Sequence, residues 1–152
     1  MKNEKFLKSI ERPGVLNKVQ IYELMELEII KNGKPEHIGL SSFDLHLSNC
    51  GYKLKAGFKC REDRTFSEVI SATKSANLGT EEIIFKNNKA RLEVGTPYLF
   101  KLEEEISLPE NFYGQGSGKS SIGRLDVLTR LLVDKEDKYC KSCSAALGHV
   151  CV

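Results

Sequence analysis

Two hydrophobic periods divide the chain. Ile21, Leu24, Met25 and Ile29 recur at helical spacing, with Glu23, Glu26 and Glu28 among them, and Asn17 stands where an N-cap belongs. A helix is predicted there. Asn32-Gly33-Lys34-Pro35 stops it, because Gly relaxes the backbone and Pro cannot continue the hydrogen-bond ladder. Beyond residue 40 the period becomes two. Phe43, Leu45 and Leu47 alternate with Asp44 and His46, and Tyr52, Leu54 and Ala56 alternate with Lys53 and Lys55. Between them Ser48-Asn49-Cys50-Gly51 reads as a hairpin loop. Residues 61–80 are polar and irregular, an exposed excursion with one helical turn. Glu82–Phe85 and Ala90–Val94 suggest a second hairpin around Asn87-Asn88, and Pro97–Leu102 and Ile106–Leu108 add short strands punctuated by Gly95 and Pro109. Many short strands separated by turn signals predict a mainly β domain, of barrel or sandwich type, with an N-terminal helix.

At 152 residues there is room for one ordinary domain. Lys plus Arg total 23 against 21 acids, a net charge of +2 that offers no electrostatic case for a nucleic-acid polymer as partner. No run approaches the roughly 18 apolar residues of a membrane span, so no membrane partner is expected. The charged start Met1-Lys2-Asn3-Glu4-Lys5 leads into no apolar signal core, which points to the cytoplasm, and the five cysteines then read as thiols.

The chemistry concentrates between Leu108 and Asp134. Gly114, Gly116, Gly118 and Gly123 surround Lys119, Ser120, Ser121 and Arg124. Glycines let backbone N–H groups approach anionic oxygens, and two hydroxyls with two cations can satisfy a polyphosphate. The plain alternative is a glycine-rich turn with a solvated lysine. Gly118-Lys119-Ser120 ends like a P-loop, but that motif needs four residues between its first Gly and the Gly-Lys pair. Tyr113 occupies that first position, and Gly114 leaves only three residues between. ATP or GTP hydrolysis by a P-loop is not expected.

Lys119-Ser120-Ser121-Ile122-Gly123-Arg124-Leu125 resembles the (K/R)-S-S-x-(A/G)-R-L signature of dCTP deaminases, relatives of the trimeric dUTPases. Leu108-Pro109 is similar to the family's strand entry. Ser42-Phe43-Asp44-Leu45-His46-Leu47 is similar to its S-x-D-L-R-L element, with His46 where Arg is usual. The run from Leu125 to Asp134 resembles the N-terminal half of the double-length bacterial branch, as does Gly14-Val15-Leu16 followed by a helix.

The resemblance implies a dUTPase-like β-clip, a distorted β-barrel that assembles as a homotrimer with sites between subunits. It implies hydrolytic deamination of dCTP to dUTP and ammonia, with Mg2+ accompanying the triphosphate and no catalytic zinc. By resemblance Lys119 and Ser121 contact the triphosphate, and Ser120 positions the attacking water near C4 of cytosine. Arg124 holds the site's charge and geometry, Ile122 and Gly123 contribute backbone contacts, and Asp134 matches an acidic residue at the substrate pocket. The bland alternatives are that Ser121 caps a turn and that Arg124 makes a surface ion pair.

After Asp134 the resemblance ends. Residues 1–134 are read as the deaminase-like domain, and 135–152 as a divergent, cysteine-containing tail. The family's general acid–base glutamate is expected in the region that the tail replaces. Glu103, Glu104, Glu105 and Glu110 all precede the signature and do not match it. The chain is therefore expected to be a truncated fragment, its tail arising from truncation or frameshift, with a disordered end as the alternative. Cys140-x-x-Cys143 and His149-x-Cys151 are zinc-binding residue types, although H-x-C is not a usual partner spacing. Cys50 and Cys60 read as small apolar side chains in or beside strands. Two further readings remain open: a non-catalytic nucleotide-binding or assembly module on the same scaffold, and a dUTPase-like diphosphatase.

Overall fold

The computed structural model describes residues 6, 10, 13–57, 63–109 and 112–134, and the backbone of 145–151. The helix α1 (Lys18–Glu26) starts where its cap predicts. The Asn17 side chain accepts from the N–H groups of Val19 (3.0 Å) and Gln20 (3.1 Å), and the Gln20 side chain accepts from Asn17 N–H at 3.0 Å. It ends sooner than expected. Glu28 turns left-handed at φ 58, its N–H bonds to Met25 O at 2.9 Å, and Ile29 N–H bonds to Leu24 O at 2.9 Å. That pair of bonds is a Schellman closure with Glu at the position glycine usually takes. Ile29 lies beyond the helix yet is still buried, and β1 (Ile30–Lys31) follows directly.

The strands β2 (Leu47–Lys53), β3 (Glu81–Glu82), β4 (Tyr98–Ser107), β5 (Arg130–Val133) and β6 (Ala145–Cys151) complete one antiparallel sheet of order β3-β2-β4-β6-β5. Its long member is β4, which pairs with β2 and β1 along one edge and β6 along the other. A mainly β domain with an N-terminal helix is what the chain forms.

Four local expectations are corrected. Ser48–Gly51 is not a hairpin loop but the middle of β2, held in register by Gly51 opposite Phe100. A Cβ on Gly51 would lie 2.6 Å from the Phe100 ring, so this glycine serves close packing rather than a turn. Pro97–Leu102 and Ile106–Leu108 are not separate strands, because β4 runs unbroken from Tyr98 to Ser107. The polar stretch 61–80 holds α2 (Phe66–Ser75), with Thr65 and Glu68 as a capping box and with Phe66 and Ile70 buried. The turn at Asn87-Asn88 does form, both residues at positive φ and bridged by Lys86 and Lys89, but β3 is confined to Glu81–Glu82. Residues 145–151, which no sequence pattern marks as a strand, lie between β4 and β5 as β6.

Side chains alternate across β4. Its C-terminal end, at Ile106, meets a core of Phe6, Ile21, Leu24, Ile29, Ile30 and Ile38. Leu99, on the alternate face, joins Phe66 and Ile70 of α2 with Leu54 and Leu132 in a second core. Each fully buried aliphatic or aromatic side chain contributes about 1.5–3 kcal/mol by leaving water, so these two cores anchor the sheet that carries the loops.

Candidate functional site

The signature residues occupy a loop and one helical turn between β4 and β5. Gly116 and Gly118 let the loop lie against the β5 side of the sheet. A Cβ on Gly116 would stand 2.5 Å from Leu131, and one on Gly118 would collide with the Thr129 hydroxyl. These two glycines thus bring backbone close to protein side chains. The chain then enters α3 (Ser120–Gly123), with Lys119 at the N-cap in extended conformation. Ile122 N–H and Gly123 N–H bond to Lys119 O at 2.9 and 3.2 Å. Asp126 closes the turn left-handed at φ 57.

Ser120, Ser121, Gly123 and Arg124 are all exposed on this turn, and Ile122 is at its margin. Nothing lies within 4 Å of a Cβ placed on Gly123, so the surface beside it is open. Among the described residues the Arg124 guanidinium meets no hydrogen-bond or ion-pair partner. Lys119 is different: its ammonium pairs with the Asp44 carboxylate. That hydrogen bond holds the Asp44 carboxyl below the usual carboxylate range. Partial desolvation opposes the shift, and the charges of Lys119, His46 and His37 add to it.

Asp44 is placed by a tight connection. Pro35–His37 forms a short 3-10 turn, Ile38 and Phe43 bridge, and Asp44 N–H bonds to His37 O at 3.0 Å. Two residues on, His46 is tied to β4 from both sides. Its carbonyl accepts from Glu103 N–H at 2.9 Å, and its own N–H donates to Glu104 Oε2 at 2.9 Å. The His46 ring turns Nδ1 to Glu104 Oε1, also at 2.9 Å. Glu104 is only 3% exposed, and the His37 ring stacks on His46 with centroids 3.8 Å apart.

The structure therefore gathers Lys119, Ser120, Ser121, Ile122, Gly123 and Arg124 on one turn and docks that turn on Asp44. Asp134 is engaged elsewhere: its Oδ1 accepts from Phe66 N–H at 2.7 Å, at the start of α2. A separate small pocket under α2 is lined by Cys50, Tyr52, Phe66, Ile70, Lys74 and Lys101 among others, with no signature residue in it. There the Cys50 thiol contacts the Tyr52 hydroxyl at 3.6 Å, and this contact, with burial, pushes the Tyr52 phenol up to about 12. Cys50 is half-buried in β2; Cys60 lies outside the described residues, as do Cys140 and Cys143. His149 and Cys151 belong to β6, which is described by its backbone.

Sequence reasoning missed the partnership of Asp44 with Lys119 and the cluster of His37, His46 and Glu104. The histidine replacing an arginine in the Ser42–Leu47 element was the one local signal. Among the described residues no helix is long and apolar enough to cross a membrane.

Comparison with known proteins follows the same lines. Residues 12–151 match the family model of the 2'-deoxycytidine 5'-triphosphate deaminase N-terminal domain. Among solved structures, the chain is similar to the crystal structure of 2'-deoxycytidine 5'-triphosphate deaminase from Agrobacterium tumefaciens, with a TM-score of 0.77 and 21% sequence identity. The match covers 91% of this chain and 40% of that one, so the chain spans well under half of that protein's length. The shared fold agrees with the mainly β, deaminase-type architecture expected from the signature. No match was found among curated proteins.

Proposed function

The chain belongs to the 2'-deoxycytidine 5'-triphosphate deaminase N-terminal domain family, and on that premise we propose that it binds dCTP at the Lys119–Arg124 turn as part of a dCTP-deaminating site. The observation that carries this reading is the open presentation of that turn, with Ser120, Ser121 and Arg124 all exposed. Lys119 and Ser121 contact the triphosphate, Arg124 adds a charge that cannot be lost near neutral pH, and Ser120 positions the water that attacks C4. Ile122 and Gly123 offer backbone contacts beside them. Residues 119–124 include no carboxylate, so they do not form a magnesium site of their own. Mg2+ would ride on the phosphate oxygens. Asp134 keeps its proposed place at the pocket only if it can leave the α2 amide.

The exposed apolar residues flanking the turn in sequence, Tyr113, Leu125 and Leu128, support assembly in which a second copy covers the site, with a homotrimer as the proposed state. A cytoplasmic setting suits a nucleotide substrate.

Water attack on C4 also needs a proton acceptor and a donor to the leaving nitrogen, worth typically ~100- to 10,000-fold in rate. The carboxylate seen against the signature is Asp44, and a carboxyl held low by Lys119 is a weak base near neutral pH. That favours nucleotide binding without efficient turnover by this chain alone as the second reading.

One experiment tests both. Thermal melts with dCTP and Mg2+ should show stabilisation by mass action, and Arg124→Ala should remove most of it while leaving the unliganded Tm nearly unchanged. Equal ligand shifts in both proteins would refute the binding assignment. Ammonia and dUTP release by the purified chain should stay near background. Ordinary turnover would instead show that another acid, such as Asp134 or Glu136, does the proton transfer. Pyrophosphate release from dUTP would point to the diphosphatase reading.

A further inference from the structure

We propose that His37, His46 and Glu104 form a binding site for one divalent transition-metal ion of the zinc or cobalt type, separate from the magnesium that accompanies a nucleotide. One donor atom from each residue lies within 4.8 Å of the other two. An ion at the centre of such a triangle stands no more than about 2.8 Å from any donor, against the ~2.0–2.2 Å of zinc bonds to imidazole and carboxylate. Each donor needs to move by less than about 1 Å.

The donors come on backbone that is already fixed. His37 closes the Pro35–His37 turn and its carbonyl is bonded by Asp44 N–H. The main chain of His46 is held by Glu103 and Glu104, and Glu104 projects from the middle of β4. Little chain entropy is left to lose on binding.

Two observations point to an ion rather than to a settled packing cluster. His37 Nδ1 is buried with no hydrogen-bond partner among the described residues, a state that is costly when nothing fills it. Glu104 places a carboxylate 3% exposed against an imidazole edge. A divalent ion would give His37 Nδ1 a partner and meet the Glu104 carboxylate, whose oxygens now contact the His46 N–H and ring. The half-exposed His46 ring, now stacked on His37 at 30°, would splay to share the ion. Two imidazoles and a carboxylate select zinc, cobalt or nickel over magnesium and calcium, which prefer all-oxygen sets. The site leaves a fourth position for water.

The test is titration of the full 152-residue chain with Co2+, read by visible absorption, with Zn2+ as competitor. The expected result is one equivalent of Co2+ with ligand-field bands and no intense near-ultraviolet thiolate charge transfer. His46→Arg places a cation opposite Glu104 and should hold the fold. It should weaken binding by more than the roughly 10- to 100-fold that loss of an outer-sphere partner costs. His37→Asn should do the same, whereas Cys140→Ser/Cys143→Ser should leave binding unchanged. No saturable binding, thiolate bands in the wild-type spectrum, or loss of binding only in the cysteine variant would each overturn the site. The wild-type spectrum decides the matter even if a histidine variant fails to fold. None of these readouts depends on nucleotide binding.

Discussion

Lys119 reaches across 75 positions of sequence to the carboxylate of Asp44, and that ion pair fastens the signature turn to the connection leading into β2. The two residues come from the two segments whose residue patterns resemble one family. Neither segment by itself indicates that they touch. Their contact turns two separate motifs into one surface, with Ser120, Ser121 and Arg124 presented on its rim.

Asp44→Asn should therefore change the loop more than the fold. An ion pair between half-exposed groups contributes little to stability, so the melting temperature at neutral pH should hardly move. The nucleotide response should change, because Lys119 becomes free to meet phosphate. The pH dependence has a defined sign. A carboxyl with a folded pKa below its unfolded value stabilises above the unfolded value, near 3.9, and loses that contribution as pH falls through the folded one. Acid melts of wild type and Asp44→Asn should converge below that window and differ slightly above it. Divergence that grows toward low pH would contradict the pairing.

Asp134 tests a different boundary between fold and site. Its carboxylate receives the first N–H of α2, where a negative charge also meets the positive end of the helix. Asp134→Ala should cost about 1–2 kcal/mol in urea denaturation, the scale of a lost helix cap. The slope m should stay constant. Affinity for dCTP should be unaffected where the protein is folded. A large affinity loss with unchanged stability would return Asp134 to the substrate pocket.

Gly118 and Thr129 should be energetically coupled. Gly118→Ala drives a methyl into the Thr129 hydroxyl and should destabilise by about 1–3 kcal/mol, the usual range for overpacking. Thr129→Ala should relieve most of that in the double variant, measurable as a double-mutant cycle. Thr129 Oγ1 is itself buried without a partner among the described residues, so Thr129→Val should be neutral or mildly stabilising. Strict additivity would mean that the loop does not lie against β5 as described.

Helices α1, α2 and α3 close in the same way, at Glu28, Asn77 and Asp126, all left-handed. All three are exposed, and Glu28, lacking the tolerance of Asn and Asp for it, carries the ~1–2 kcal/mol cost of a non-glycine residue in that conformation. Glu28→Gly removes the cost but adds ~0.5–1 kcal/mol of chain entropy to lose on folding. The expected net gain is about 0.5–1 kcal/mol, visible as a higher denaturation midpoint. A loss would show that the Glu28 side chain contributes more than its surroundings indicate.

What the sequence determined by itself was the physics that acts over a few residues. Asn17 with Gln20 marks a helix start because the cap bonds span three positions, and Asn87-Asn88 marks a turn because Asn tolerates positive φ. Period two marked the β character, and the pattern of Lys119, Ser120, Ser121 and Arg124 marked the family. Only the tertiary structure decided the rest. Ser48–Gly51 looks like a turn until β4 offers ladder bonds and the Phe100 ring covers Gly51. Phe66 and Ile70 look like strays in a polar stretch until Leu99 and Leu132 give their helix a face to bury. Residues 145–151 become a strand because β4 and β5 each leave an edge to be paired. The links from Lys119 to Asp44, from His46 to Glu104 and from Phe66 to Asp134 join residues 58 to 75 positions apart. Such contacts form only when burial and strand pairing have met the entropy of closing those loops, and no local pattern records that balance.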